Sequence, residues 1–173
     1  MAGTDMRAPS AYPSECARAT APGESRFRID VPIRPARNAR VIGLDERATA
    51  IAQRVAHRSW AKATFYTCQA ASDAGTGDAR IVLHRLDGRP VLLGEVLTGT
   101  DVVVVLATED AGRQWAAAIG RLCGADGITT AGIVLGEDFE ADDAVAALRP
   151  YARVLLLSAD ESDVTELLTA LRV

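Results

Sequence analysis

From about residue 40 onward, apolar positions follow two alternating rhythms: short β-branched runs, and stretches with apolar residues spaced three and four apart. The segment VIGLDERATAIAQRV opens the series, with a strand at about 40–44 and a helix at about 46–59. In that helix Ala48, Ile51, Ala52 and Val55 fall on one face. ATFYTC at 63–68 and ARIVLH at 79–84 predict a second and a third strand, and LDGRP at 86–90 is turn chemistry. LLGEVLTG at 92–99 reads as a short helix closed by Gly99, although the letters at 91–99 do not decide between helix and strand. DVVVVLA at 101–107 is an unbroken run of the kind buried on both faces of a parallel sheet.

Beyond it, Trp115, Ala118, Ile119, Leu122 and Cys123 line up on a helix at about 110–123, with Gly124 in position to stop it. ITTAGIVLG at 128–136 predicts a strand, ADDAVAALR at 141–149 a helix ended by Pro150, and ARVLLLS at 152–158 a strand. SDVTELLTALRV is a final helix burying Val164, Leu167, Leu168 and Leu171. Strands alternating with helices across short loops imply right-handed crossovers. The expected fold is a three-layer, doubly wound, mainly parallel α/β sheet of Rossmann-like type. Residues 39–173 form that single domain, and 1–38 are an Arg/Pro/Ala-rich mobile tail. Within the tail, Phe27, Ile29, Val31 and Ile33 alternate, so 27–34 is expected to dock as an edge segment limited by Pro32.

Composition adds four constraints. With 173 residues, 49% of them apolar, the chain can fill one core, and its net charge is −4. No apolar run reaches the length of a membrane span, and the first residues lack the pattern of a signal peptide, so a cytoplasmic protein with no membrane partner is expected. Cys16, Cys68 and Cys123 are widely spaced and include no CxxC pair, which speaks for reduced thiols. Charge is uneven: residues 1–40 hold seven arginines against four acids, whereas 41–173 hold twelve basic residues against nineteen acids. The arginines of the arm are dispersed, which is a poor footprint for nucleic acid, and folding back onto an acidic face is the other use for such an arm.

In doubly wound sheets ligands bind beyond the carboxyl ends of the strands, and those loops are acidic here. After Gly43 the first turn runs Leu44, Asp45, Glu46, Arg47, where a phosphate-cradling turn needs glycines. Later strands are followed by Glu109 and Asp110, by Glu137 and Asp138, and by Asp160 and Glu161. Helix capping explains each pair taken alone. Together they still repel a triphosphate or dinucleotide unless a divalent ion intervenes, so the expectation is no cofactor, with Mg²⁺ held by several of these acids as the alternative.

Taken in order, the segments resemble the GTP-binding domain of the tubulin/FtsZ-like family of bacterial cell-division proteins, over roughly residues 39–170. VIGLDERATAIAQRV stands where that family has a strand and glycine-rich turn, and TFYTCQAASDAGTGDARIVL where it has a Phe-containing strand and an Asn-Thr-Asp loop. LLGEVLTGTDVVVVLA matches a short helix before an Asp-led strand, and GITTAGIVLGEDFE matches its Gly-Ile-Val strand and acidic-aromatic loop. The resemblance implies a bacterial GTPase scaffold. This chain departs from it where the family's chemistry lies: the phosphate loop is TEDAGRQW with Gly112 as its only glycine, and Thr67, Cys68 and Gln69 replace Asn-Thr-Asp. No functional residue of the family carries over.

Other candidates add little. Cys68 and His84 would sit at neighbouring strand ends, where a thiol–imidazole pair can activate a nucleophile. His57 falls on the polar side of the first helix, Trp115 on a core face, Trp60 past a helix end where it could meet a partner, and Gly75 and Gly77 in a flexible link. The candidate cleft rim is therefore Asp45, Glu46, Cys68, Glu109, Asp110, Glu137, Asp138 and Asp160, with no catalytic residue among them. The function expected is that of a non-catalytic accessory or regulatory protein on a degenerate nucleotide-binding scaffold, acting through a protein partner. The alternatives are an enzyme or enzyme subunit using the acidic rim with a divalent cation, and an intact tubulin-like GTPase module; homo-oligomerisation stays open.

Overall fold

Seven strands form one sheet in the order β4-β3-β2-β1-β5-β6-β7. A computed structural model describes residues 35–68, 81–136 and 142–173. The expectations for the tail up to residue 34, for the edge segment at 27–34, and for Cys16, Gly75, Gly77, Glu137 and Asp138 lie outside the described residues, whereas Arg37 and Asn38, expected in the mobile tail, hydrogen-bond to Arg172, Gly99 and Asp101. Pro35–Val173 is one compact unit.

The strands are β1 (Ala39–Gly43), β2 (Ala63–Thr67), β3 (Val82–Arg85), β4 (Pro90–Leu92), β5 (Val102–Ala107), β6 (Thr129–Leu135) and β7 (Ala152–Ala159). The helices are α1 (Glu46–Ala56), α2 (Leu93–Leu97), α3 (Arg113–Ala125), α4 (Asp142–Leu148) and α5 (Glu161–Ala170), and a 3-10 turn at Asp110–Gly112 leads into α3. β2, β1, β5, β6 and β7 run parallel. Every residue of β5 is buried, as its unbroken valine run requires. Two core clusters cover the two faces. Leu93, Val96, Trp115, Ile119, Ala144 and Leu148 place α2, α3 and α4 on one, while Ala48, Ala52, Val55, Val164 and Leu168 place α1 and α5 on the other. The fold is a three-layer, Rossmann-like α/β sheet.

The sheet is mainly parallel, as expected, and its antiparallel part lies at one end. β3 runs against β2 and β4 against β3. For β4 the cause is the short Leu86–Asp87–Gly88–Arg89 connection, too tight for a crossover. Gly88 takes φ +83°, its N–H donates to Arg85 O at 2.8 Å, and the Arg89 N–H donates to Asp87 Oδ1 at 2.9 Å. The stretch 91–99, undecided in the letters, divides between both states: 91–92 complete β4 and 93–97 form α2. Pro90 sits at the outer edge, where its missing N–H costs no ladder bond.

The end of α3 departs from the expectation. Gly124 lies inside the helix, which continues to Ala125 with Gly127 beyond it at φ +68°. A side chain on Gly120 would stand 2.4 Å from the Tyr151 ring, and one on Gly124 would touch it at 3.4 Å. These glycines at i and i+4 therefore make room for an aromatic ring rather than ending the helix.

Gly43 brings α1 close to the end of β1, since a Cβ there would meet Thr49 Cα and N at 2.9 Å. Backbone cannot swing aside as a side chain can. Gly43→Ala is expected to cost about 1–3 kcal/mol in urea unfolding, and an unchanged midpoint would contradict that packing.

Candidate functional site

The chain reverses its direction of travel across the sheet between β1 and β5: α1 leads from β1 toward β2 on one face, and α3 leads from β5 toward β6 on the other. Such switch points leave a crevice beyond the strand ends. Here it is a cleft of about 420 Å³ lined by Leu44, Asp45, Glu46, Thr49, Thr67, Cys68, Glu109, Ala111, Gln114 and Trp115.

Asp45 governs its chemistry. As the N-cap of α1 its Oδ1 accepts the Ala48 N–H at 2.8 Å and the Thr108 hydroxyl at 2.7 Å. Its Oδ2 accepts the Thr108 N–H at 2.7 Å, with the Glu109 N–H at 3.4 Å. The residue is 6% exposed. The Ala48 and Thr108 donors at this turn are thus satisfied by the protein's own carboxylate. Thr108 is the partner missed in the sequence; it follows directly on the DVVVVLA run, and a hydroxyl there in a parallel fold is the signal available.

The other candidate acids separate into two groups. Glu46, in the first turn of α1, and Glu109 are exposed at the cleft mouth, and neither side chain has a hydrogen bond or ion pair among the described residues. Asp110 turns away: its Oδ1 accepts the N–H groups of Asp143 and Ala144 at 2.8 and 3.1 Å, capping α4 from another element, beside an Arg113–Asp143 ion pair at 2.7 Å. Asp160 caps α5 in a reciprocal box with Asp163, and the Ser162 hydroxyl, then the N–H groups of Asp163 and Ser162, hold its carboxyl below the ordinary value. Glu161 pairs with Arg54 at 2.7 Å. Asp110 and Asp160 are therefore committed to helix ends and do not line the cleft. Among the described residues no group of three or more His, Cys, Asp and Glu side chains is placed to hold a metal ion.

The thiol–imidazole pairing is overturned by register. His84 pairs with Thr67 across β2 and β3 and so shares its face, while Cys68, one residue on, points the other way into the core with Leu83 and Ile81. His84 Nδ1 is buried without a partner. Burial raises the Cys68 thiol pKa far above its ordinary value, and the negative charge of Asp45 raises it further, the opposite of an activated nucleophile. Trp60 is also not free: it packs half-buried on the α1 face and its Nε1–H donates to Val55 O at 2.9 Å. His57 is exposed, as its helix face implies, and Trp115 is 5% exposed, at once core and cleft wall.

No protein-family model matches the chain, and no curated protein matches it. Among the described residues no helix is long and apolar enough to cross a membrane.

Two outcomes test the site. Asp45→Ala leaves buried N–H groups without acceptors and is expected to lose about 2–4 kcal/mol in urea unfolding; a loss below about 0.5 kcal/mol would mean that the carboxylate is not structural. The Cys123 thiol is pushed up to about 11 by burial, against a Thr130 hydrogen bond that lowers it and with Asp126 adding to the rise. A raised native value means that stability is complete below the unfolded thiol value near 9.0 and declines as pH climbs from there toward about 11. Urea midpoints between pH 7 and 10.5, with peptide-resolved alkylation, should show that decline, and Cys68 and Cys123 labelled only on unfolding; rapid labelling of the native protein would refute it.

Proposed function

We propose that this chain is a non-catalytic accessory or regulatory protein, built on a nucleotide-binding type of scaffold that has given up phosphate and works through binding another protein. The single observation that supports this reading is the internal anion. Asp45 already takes the Ala48, Thr108 and Glu109 donors at the switch point, and Glu46 and Glu109 add negative charge at the mouth. A nucleotide phosphate arriving there meets like charge in a half-enclosed site where the Ala48 and Thr108 amides are already taken. The cleft residues offer no activated nucleophile, since Cys68 is held protonated. The resemblance to the tubulin/FtsZ-like GTP-binding domain fits the same reading, as a relative that keeps the layout without the phosphate loops.

Calorimetric titration with GTP, ATP and NAD(H) in the presence of a chelator should give no binding at millimolar ligand, and no phosphate release should follow from GTP with Mg²⁺. In Asp45→Gly the vacated amides should admit a replacement anion, so that acetate or inorganic phosphate raises the melting temperature of the variant and leaves the wild type unmoved. Micromolar nucleotide binding by the wild type would overturn the proposal.

A further inference from the structure

The switch-point cleft refuses anions, yet it is a formed cavity with an apolar floor. Leu44, Cys68, Ala111 and Trp115 supply that floor, and the volume of about 420 Å³ falls within the usual range for small-molecule sites. Its charges all have one sign: the lining holds the carboxylates of Asp45, Glu46 and Glu109 and, among the described residues, no Arg or Lys. Within it stands a polar group with nothing to do. Thr67 is 6% exposed, lines the cleft at the end of β2, and its hydroxyl has no hydrogen-bond partner among the described residues. Among the described residues the one side-chain polar atom both fully buried and unpaired is His84 Nδ1, so the Thr67 hydroxyl keeps some exposure, and a ligand in the cleft can bond to it.

We infer that this cleft is a binding site for an organic cation, an alkylguanidinium or alkylammonium group whose short apolar body lies against Leu44 and Trp115 while its N–H groups donate to Thr67 Oγ1 and to the Glu46 and Glu109 carboxylates. Each feature selects against a different competitor. The three carboxylates repel anions, and the apolar floor disfavours a bare hydrated metal ion. A neutral analogue leaves Glu46 and Glu109 unpaired and gains only the contact area. An ammonium or guanidinium head supplies donors alone, and every ligand-facing polar atom named here accepts. The inference rests on the cleft being closed to phosphate and deepens that reading: the cation is either a free metabolite or a Lys or Arg side chain of the protein partner, and both sources share this chemistry.

Titration of the full chain with n-butylguanidine, followed by Trp115 fluorescence in a Trp60→Phe background and by calorimetry, should give saturable binding. Butyramide should bind at least tenfold more weakly, and butyrate not at all. The blocked tripeptide Ac-Ala-Arg-Ala-NH₂ separates the sources: binding tighter than that of n-butylguanidine assigns the site to a partner's side chain, and weaker binding assigns it to a free small molecule. Combined Glu46→Gln and Glu109→Gln should weaken n-butylguanidine about tenfold, and the near-isosteric Thr67→Val about threefold, with far-UV circular dichroism unchanged. Equal binding of butyramide, an affinity untouched by the Glu46 and Glu109 substitutions, or no binding of n-butylguanidine would overturn the inference. The last result alone, with nucleotides also failing to bind, removes the cation site and leaves the phosphate-refusing scaffold standing; nucleotide binding removes both.

Discussion

One buried carboxylate joins the two directions of this sheet. β1 and β5 are neighbours whose connections leave on opposite faces, so nothing in the chain path ties the turn after β1 to the turn after β5. Asp45 supplies that tie, reaching from the first turn of α1 to the backbone and hydroxyl of Thr108. A charge so enclosed is tolerable only because its donors are fixed before any ligand arrives, and the positive end of α1 lies beside it. The cleft walls inherit their spacing from this contact. Leu44 is held against Gly112, where a side chain would come within 2.4 Å of the Leu44 Cβ, and so the start of α3 is set relative to the start of α1.

The acids at the strand ends look alike in the sequence and differ in structure because helix ends compete for them. Asp110 and Asp160 are consumed by N–H groups of α4 and α5. Glu46 follows the cap that Asp45 already supplies, Glu109 precedes the 3-10 turn without capping it, and both are left facing the cleft. Their uncommitted carboxylates make the mouth of the cleft negative.

Much of the layer arrangement was legible. β5 is legible because a strand buried on both faces has no polar positions to hide its pattern, and α1 because its small apolar residues keep a 3.6 period. The antiparallel hairpin was harder to see: 86–90 reads as a turn, but strand direction depends on whether a crossover helix precedes it, and local letters do not encode that. Gly124 misled for a related reason, since a stop signal and a packing groove use the same residue, and Tyr151 lies 27 positions away. At the site, the acidity of the first turn was visible in Asp45 and Glu46. The identity of the donors was not, because Thr108 meets Asp45 only through the parallel pairing of β1 with β5. The cysteine–histidine expectation failed on register, a relation between strands that neither segment carries alone.

Gly43 carries a wider lesson about glycines at strand–helix turns. In dinucleotide-binding turns separate glycines serve the bend, the approach to the ligand and the contact between helix and strand. Here Gly43 serves the contact between strand and helix, and Asp45, two places later, takes the Ala48 and Thr108 donors. A lone glycine closing a first strand thus measures how near two backbones run, and the side chain two places later tells whether an anion is welcome.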